Sequence, residues 1–130
     1  MAAVDLIIFG ASGDLSAIKL FPALFQLERL NLLQKDLRIA AVARTKQTLG
    51  EFLPVLKGKM ASYMGDDAPS DDEWASFTQR FSYVAVNFSE PDEYGALREW
   101  LDDERVSLFY FATPPSLFAA ICEHLSTTNC

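Results

Sequence analysis

The sequence predicts an α/β fold, a doubly wound parallel sheet of about four strands in the spatial order 3-2-1-4, and three observations lead there. Four short apolar runs alternate with stretches of helical periodicity. The first run passes without a spacer through a glycine-bearing turn into a helix. Half of the 130 residues are hydrophobic and 12% are aromatic, the composition of one folded domain with a real core.

Val4 to Phe9 is an apolar run ending at Gly10, as expected of a strand buried on both faces. From Leu15 to Leu33 apolar residues recur at helical spacing, and Pro22 inside that pattern predicts a kink or break. Leu37 to Val42 reads as the second strand. Thr48 to Met64 is expected to be helical, although Gly50, Pro54 and Gly58 weaken the pattern. Residues 65–69 form a loop, after which Ser70 and Glu73 have capping-box spacing before Trp74 and Phe77. Tyr83 to Phe88 is the expected third strand. Ser89 to Asp92 opens the next helix, with acids at its positive end and Pro91 near its first turn. Val106 to Phe111 is the fourth strand, and Pro114-Pro115-Ser116 starts a last helix.

The formal net charge is −7, which argues against nucleic acid or an anionic membrane as the main partner. No apolar run approaches membrane-spanning length, and no basic segment leads into a signal sequence. Cys122 and Cys130 lie at the end of the chain and are expected to be free thiols in a reducing cytoplasm.

The chemistry concentrates in Gly10-Ala11-Ser12-Gly13-Asp14-Leu15-Ser16. Gly10 permits a tight turn, Gly13 a close approach of backbone to a diphosphate. Small Ser16 stands where the usual Rossmann fingerprint has its third glycine. The diphosphate is expected at the helix start, where amides and macrodipole favour an anion. Asp14 is then a first-turn acid whose side chain points away from the ligand. No Gly-Lys-Ser/Thr follows, which excludes a P-loop nucleotidase. After the second strand stands Val42-Ala43-Arg44-Thr45-Lys46, where NAD readers usually carry a carboxylate. A guanidinium at that place holds a 2′-phosphate, so Arg44 with Thr45 predicts NADP.

Ile8 to Leu15, with Lys19-Leu20-Phe21-Pro22-Ala23-Leu24, resembles the amino-terminal signature of glucose-6-phosphate dehydrogenases. Tyr110-Phe111-Ala112-Thr113-Pro114-Pro115-Ser116 resembles that family's second landmark, and the likeness spans essentially all 130 residues. The resemblance implies a Rossmann-like NADP-binding portion of an enzyme that oxidises glucose 6-phosphate to 6-phosphogluconolactone in the pentose phosphate pathway. It implies diphosphate binding by Gly10, Ala11, Ser12, Gly13, Asp14 and Leu15, and 2′-phosphate binding by Arg44. Ala112, Thr113 and Pro114 would line the nicotinamide side, and Asn87 and Phe88, ending the third strand, would lie nearer the adenine. Lys19 matches the family's lysine at the junction of cofactor and sugar phosphate. A cytoplasmic homo-oligomer is expected, with no metal.

Two departures from the family stand out. Ser16-Ala17-Ile18 replaces residues that are usually basic, which lowers the local positive charge. The family's Glu-Lys-Pro and Asp-His-Tyr-Leu-Gly-Lys segments also lie beyond residue 130, so residues 1–130 read as an incomplete domain without a catalytic base. His124, the only histidine, is expected to be solvated or structural. The 130 residues alone are expected to be inactive. Their fourth-strand edge is expected to associate, to be covered by the terminal segment, or to destabilise the chain. Two other readings compete. A short-chain dehydrogenase or epimerase needs Tyr-x-x-x-Lys, and none of Tyr63, Tyr83, Tyr94 or Tyr110 has lysine four positions on. A non-enzymatic NADP sensor or scaffold fits the reduced charge but leaves the two distant landmarks unexplained.

Overall fold

The computed structural model describes residues 3–127. Four strands, β1 (Val4–Phe9), β2 (Arg38–Ala43), β3 (Phe81–Ala85) and β4 (Val106–Phe111), form one sheet in the order β3-β2-β1-β4. All three pairings are parallel, with Phe9 opposite Val42 on one side and Phe111 on the other. The carboxyl ends of β1, β2 and β4 therefore lie together, as the sequence pattern requires.

Successive strand residues face opposite helical layers. Ile8, Ile39 and Ala41 pack with α1 (Phe21–Arg29), α2 (Leu49–Met64) and α3 (Asp71–Thr78) through Phe21, Phe25, Leu56 and Phe77. Ile7, Phe9, Ala40 and Val42 pack with α4 (Tyr94–Trp100) and α5 (Phe118–Thr127) through Tyr94, Leu97 and Ile121. Two-sided burial explains why β1 and β2, beyond Asp5 and Arg38 near their amino ends, are continuously apolar instead of alternating.

The helix after β1 opens with a π-helical turn over Ser16–Leu20, in which Phe21 N–H donates to the Ser16 carbonyl. Pro22 then occupies the first turn of α1. A proline there has no amide to waste and cannot continue the preceding ladder, so the wide turn takes up the kink expected at Pro22. Thr48 and Glu51 form a reciprocal capping box at α2, and Ser70 and Glu73 form one at α3. The second capping box matches the spacing in the sequence. Glu73 also takes Arg29 Nε at 2.9 Å, and this pairing with Arg29 above all holds its carboxyl down at about 2.

The third strand differs from expectation. It spans Phe81–Ala85, not residues 83–88. Val86 N–H still bonds the Ala43 carbonyl, but at Asn87 the amide turns to Glu93 Oε1 (2.9 Å) and the side chain accepts from Ser89 N–H (3.1 Å). This local turn ends the ladder before Asn87 and Phe88. Cys122 is a free, exposed thiol, whereas Cys130 lies outside the described residues. His124 packs against the Tyr94 ring at 5.4 Å between centroids. On β4, one of the two edge strands, Val106, Leu108 and Tyr110 are exposed.

One charge is buried at the amino end of the sheet. Asp5 on β1 is fully enclosed and accepts from Arg38 Nε (2.8 Å) and Arg105 Nε (2.6 Å), while Arg38 also lies over the Trp100 ring at 4.1 Å. Burial raises the pKa of this carboxyl, but the hydrogen bonds and charges of the two arginines outweigh it and hold it below the usual carboxylate range. A depressed folded value stabilises the protein fully above the unfolded carboxylate pKa, and that contribution is lost as pH falls through the folded value. Melting temperature is therefore expected to drop on acidification below about pH 4. Asp5→Asn, which leaves two arginines without their anion, should cost about 3–5 kcal/mol at neutral pH and flatten the acid dependence, read by thermal melts across pH.

Candidate cofactor-binding site

The turn leaving β1 is held to β2 and closed on itself. The amides of Gly10 (2.9 Å) and Ala11 (3.1 Å) donate to the Val42 carbonyl, and that of Gly13 donates to the Gly10 carbonyl (3.1 Å). Ser16, fully buried, donates its hydroxyl to the same Gly10 carbonyl at 3.0 Å. The hydroxyl does what a third glycine cannot: it fastens the opening of the helix to the strand end. Ala11 is buried, while Ser12, Gly13, Asp14 and Leu15 are exposed at the carboxyl edge of the sheet.

Gly10 has φ +86°, and a Cβ there would lie 2.6 Å from the Ala112 carbonyl oxygen and 3.0 Å from Thr113 Cγ2. The two sequence landmarks, about a hundred positions apart, are thus in direct contact. Ala112 N–H donates to the Phe9 carbonyl (2.8 Å), which continues the β1–β4 ladder one residue past the strand. The Thr113 hydroxyl is buried and has no hydrogen-bond partner among the described residues. A buried hydroxyl left unpaired is costly, and this one lies beside the Gly10 turn.

Arg44 follows β2 directly, is exposed, and makes no ion pair among the described residues. The segment that carries it is strapped down. Tyr83 on β3 donates its hydroxyl to the Thr45 carbonyl (2.6 Å), accepts from Gln47 Nε2 (3.2 Å), and packs its ring on Phe52 at 5.1 Å. Neither Tyr83 nor Gln47 is marked in the sequence, where Tyr83 reads only as a strand aromatic. Phe88, expected near adenine, is buried instead, edge-on to Phe9 at 5.5 Å. Asn87 is engaged in its own turn. Lys19 is exposed on the π-helical turn, beside a shallow depression with Pro22, Tyr63 and Met64.

A broad depression at the opposite edge, near Arg38 and Arg80, is a structural feature. Arg80 there is spent on Glu28 and on the carbonyls of Gln34 and Leu37. Among the described residues no group of His, Cys, Asp and Glu could hold a metal.

The architecture has close counterparts. The family model described as glucose-6-phosphate dehydrogenase, NAD binding domain, matches residues 7–130. The chain belongs to this family. Glucose-6-phosphate 1-dehydrogenase of Dickeya dadantii is 33% identical over 125 residues, covering 95% of this chain and 25% of that protein. The cytoplasmic isoform from Solanum tuberosum is 30% identical over 135 residues, covering 95% of this chain and 26% of its own length. The crystal structure of the Mycobacterium avium enzyme superimposes with a TM-score of 0.89 at 30% identity, over 98% of this chain and 27% of that one. A glucose-6-phosphate dehydrogenase in complex with its substrate gives 0.74 at 33% identity, over 95% and 27%. The chain thus spans about a quarter of the length of the glucose-6-phosphate dehydrogenases it matches.

The contact between Gly10 and Ala112 leaves no space for a methyl group. Gly10→Ala should cost about 1–3 kcal/mol from backbone strain alone, and more from the clash, measured by denaturant unfolding. Thr113→Val, which removes an unpaired hydroxyl at constant shape, should raise stability by about 1 kcal/mol.

Proposed function

We propose that residues 1–130 form the NADP-binding portion of a glucose-6-phosphate dehydrogenase, an enzyme that oxidises glucose 6-phosphate to its lactone. The meeting of the Gly10 turn with Ala112 and Thr113, beside a strapped and exposed Arg44, carries this reading. The donor set suits the cofactor: a glycine turn with exposed backbone at Ser12 and Gly13, a buried hydroxyl lacking a partner among the described residues, and an exposed guanidinium in no ion pair among them.

In this reading the exposed Ser12, Gly13, Asp14 and Leu15 hold the diphosphate, with the macrodipole of the helix start favouring it. Arg44 and Thr45 take the 2′-phosphate, because a guanidinium matches it bidentately while a carboxylate would repel it. Ala112, Thr113 and Pro114 border the nicotinamide, and Asn87 lies toward the adenine. Lys19 serves the junction with the sugar phosphate. Bound NADP supplies the hydride acceptor, and the chain's own residues bind and orient it. We assign no general base among residues 3–127, since the ring of His124 packs against that of Tyr94. A cytoplasmic setting is supported by the exposed free thiol of Cys122 and by the relative named as a cytoplasmic isoform.

Arg44→Ala should weaken NADP binding by about 1.5–3 kcal/mol while barely changing NAD, measured by calorimetric titration with each dinucleotide. Equal losses for both would make Arg44 structural. Pure 130-residue protein mixed with glucose 6-phosphate and NADP should form no NADPH in an absorbance assay, and turnover would show that a base lies within these residues.

A further inference from the structure

The diphosphate turn has an electrostatic problem that its own segment does not solve. Asp14 places an exposed carboxylate in it, with 83% of the side chain open to solvent. Between Leu15 and Lys19 stand only Ser16, Ala17 and Ile18, none of them charged. An anion arriving at the helix start would meet a like charge within a few residues, in a protein that already carries −7 overall.

A cation reaches the turn from elsewhere. Lys59, near the end of α2, places Nζ 3.3 Å from Asp14 Oδ1 and 3.3 Å from the Ser12 carbonyl oxygen, to which it donates. Ala17, Ile18 and Tyr63 border the same shallow depression as Lys59 and Asp14. The next residue, Met60, is fully buried in the core and fixes the helix that carries the lysine. The neighbouring lysine does not share the task, because Lys57 pairs with Asp71 at 2.8 Å. One ammonium thus cancels the acid of the turn and ties down the carbonyl between its two glycines.

We propose that Lys59 is a positioning residue for cofactor binding, a cation supplied by α2 that neutralises Asp14 and holds the diphosphate turn in its binding geometry through the Ser12 carbonyl. It rests on the diphosphate reading of the turn proposed above. Because the diphosphate is common to NAD and NADP, Lys59 governs affinity for both and takes no part in choosing between them. That choice belongs to Arg44, on a different segment.

The test uses the full chain, titrated calorimetrically with NADP and with NAD, alongside thermal melts and amide exchange at Gly13. Lys59→Gln is expected to weaken both dinucleotides by the same factor, about two- to fivefold, the scale of one partly exposed charge acting at a helix start. Lys59→Arg should bind as the wild type does. Asp14→Asn in the Lys59→Gln background should recover part of the lost affinity, because the repulsive charge is then gone while the Ser12 carbonyl stays untied. Gly13 amide exchange should quicken in Lys59→Gln while the melting temperature stays nearly constant. Unchanged affinity in Lys59→Gln overturns the proposal, as does failure of Asp14→Asn to rescue it or a loss confined to NADP. A wild-type chain that binds neither dinucleotide overturns the diphosphate reading itself, and this proposal with it.

Discussion

The close approach of Gly10 to the Ala112 carbonyl is the contact on which the rest of the site depends. Parallel strands β1 and β4 stay in register to their carboxyl ends, so their exit loops must pass each other within van der Waals distance. Only a residue without a side chain, at positive φ, lets β1 turn sharply there and start a helix at once. The diphosphate turn and the Ala112–Thr113 segment proposed to border the nicotinamide both hang from that crossing. The Val42 carbonyl anchors the turn on one side, Ala112 on the other, and the buried Ser16 hydroxyl from behind.

The two ends of the sheet are electrostatic opposites. At the amino end, Asp5, Arg38 and Arg105 satisfy one another in a closed cluster that Trp100 helps to cover. At the carboxyl end the polar groups are left exposed or only loosely paired, as with Arg44, Asp14 and Lys59. A buried ion cluster locks strands together and does nothing else, because its donors and acceptors are used up. Groups at the carboxyl end keep capacity for a ligand, where open parallel sheets bind theirs. The surface depression near Arg80 belongs with the first kind: it is wide but chemically spent.

Much of this was legible because it depends on local rules. Apolar runs separated by helical periodicity set the alternation of elements, and right-handed crossovers then leave few strand orders. The Ser70–Glu73 capping box and the kink at Pro22 follow from spacing and from a missing amide. The end of β3 did not follow, because Val86 and Phe88 prolong the apolar run on either side of Asn87, while the backbone is diverted by Asn87's own side chain and by Glu93, six residues on. Phe88, for the same reason, turns inward against Phe9 instead of lining a crevice.

The sequence by itself determined the elements, the parallel topology, the glycine turn and the arginine after the second strand. Each is written in a few adjacent residues whose backbone demands are nearly independent of context. Only the tertiary structure decided what surrounds them. Lys59 reaches a turn 45 positions earlier, Tyr83 ties down the segment bearing Arg44 from a neighbouring strand, and Thr113 hides its hydroxyl beside Gly10. Such pairings arise from how helices and strands stack, and a long flexible lysine or a strand tyrosine carries no local mark of the partner that packing will bring to it.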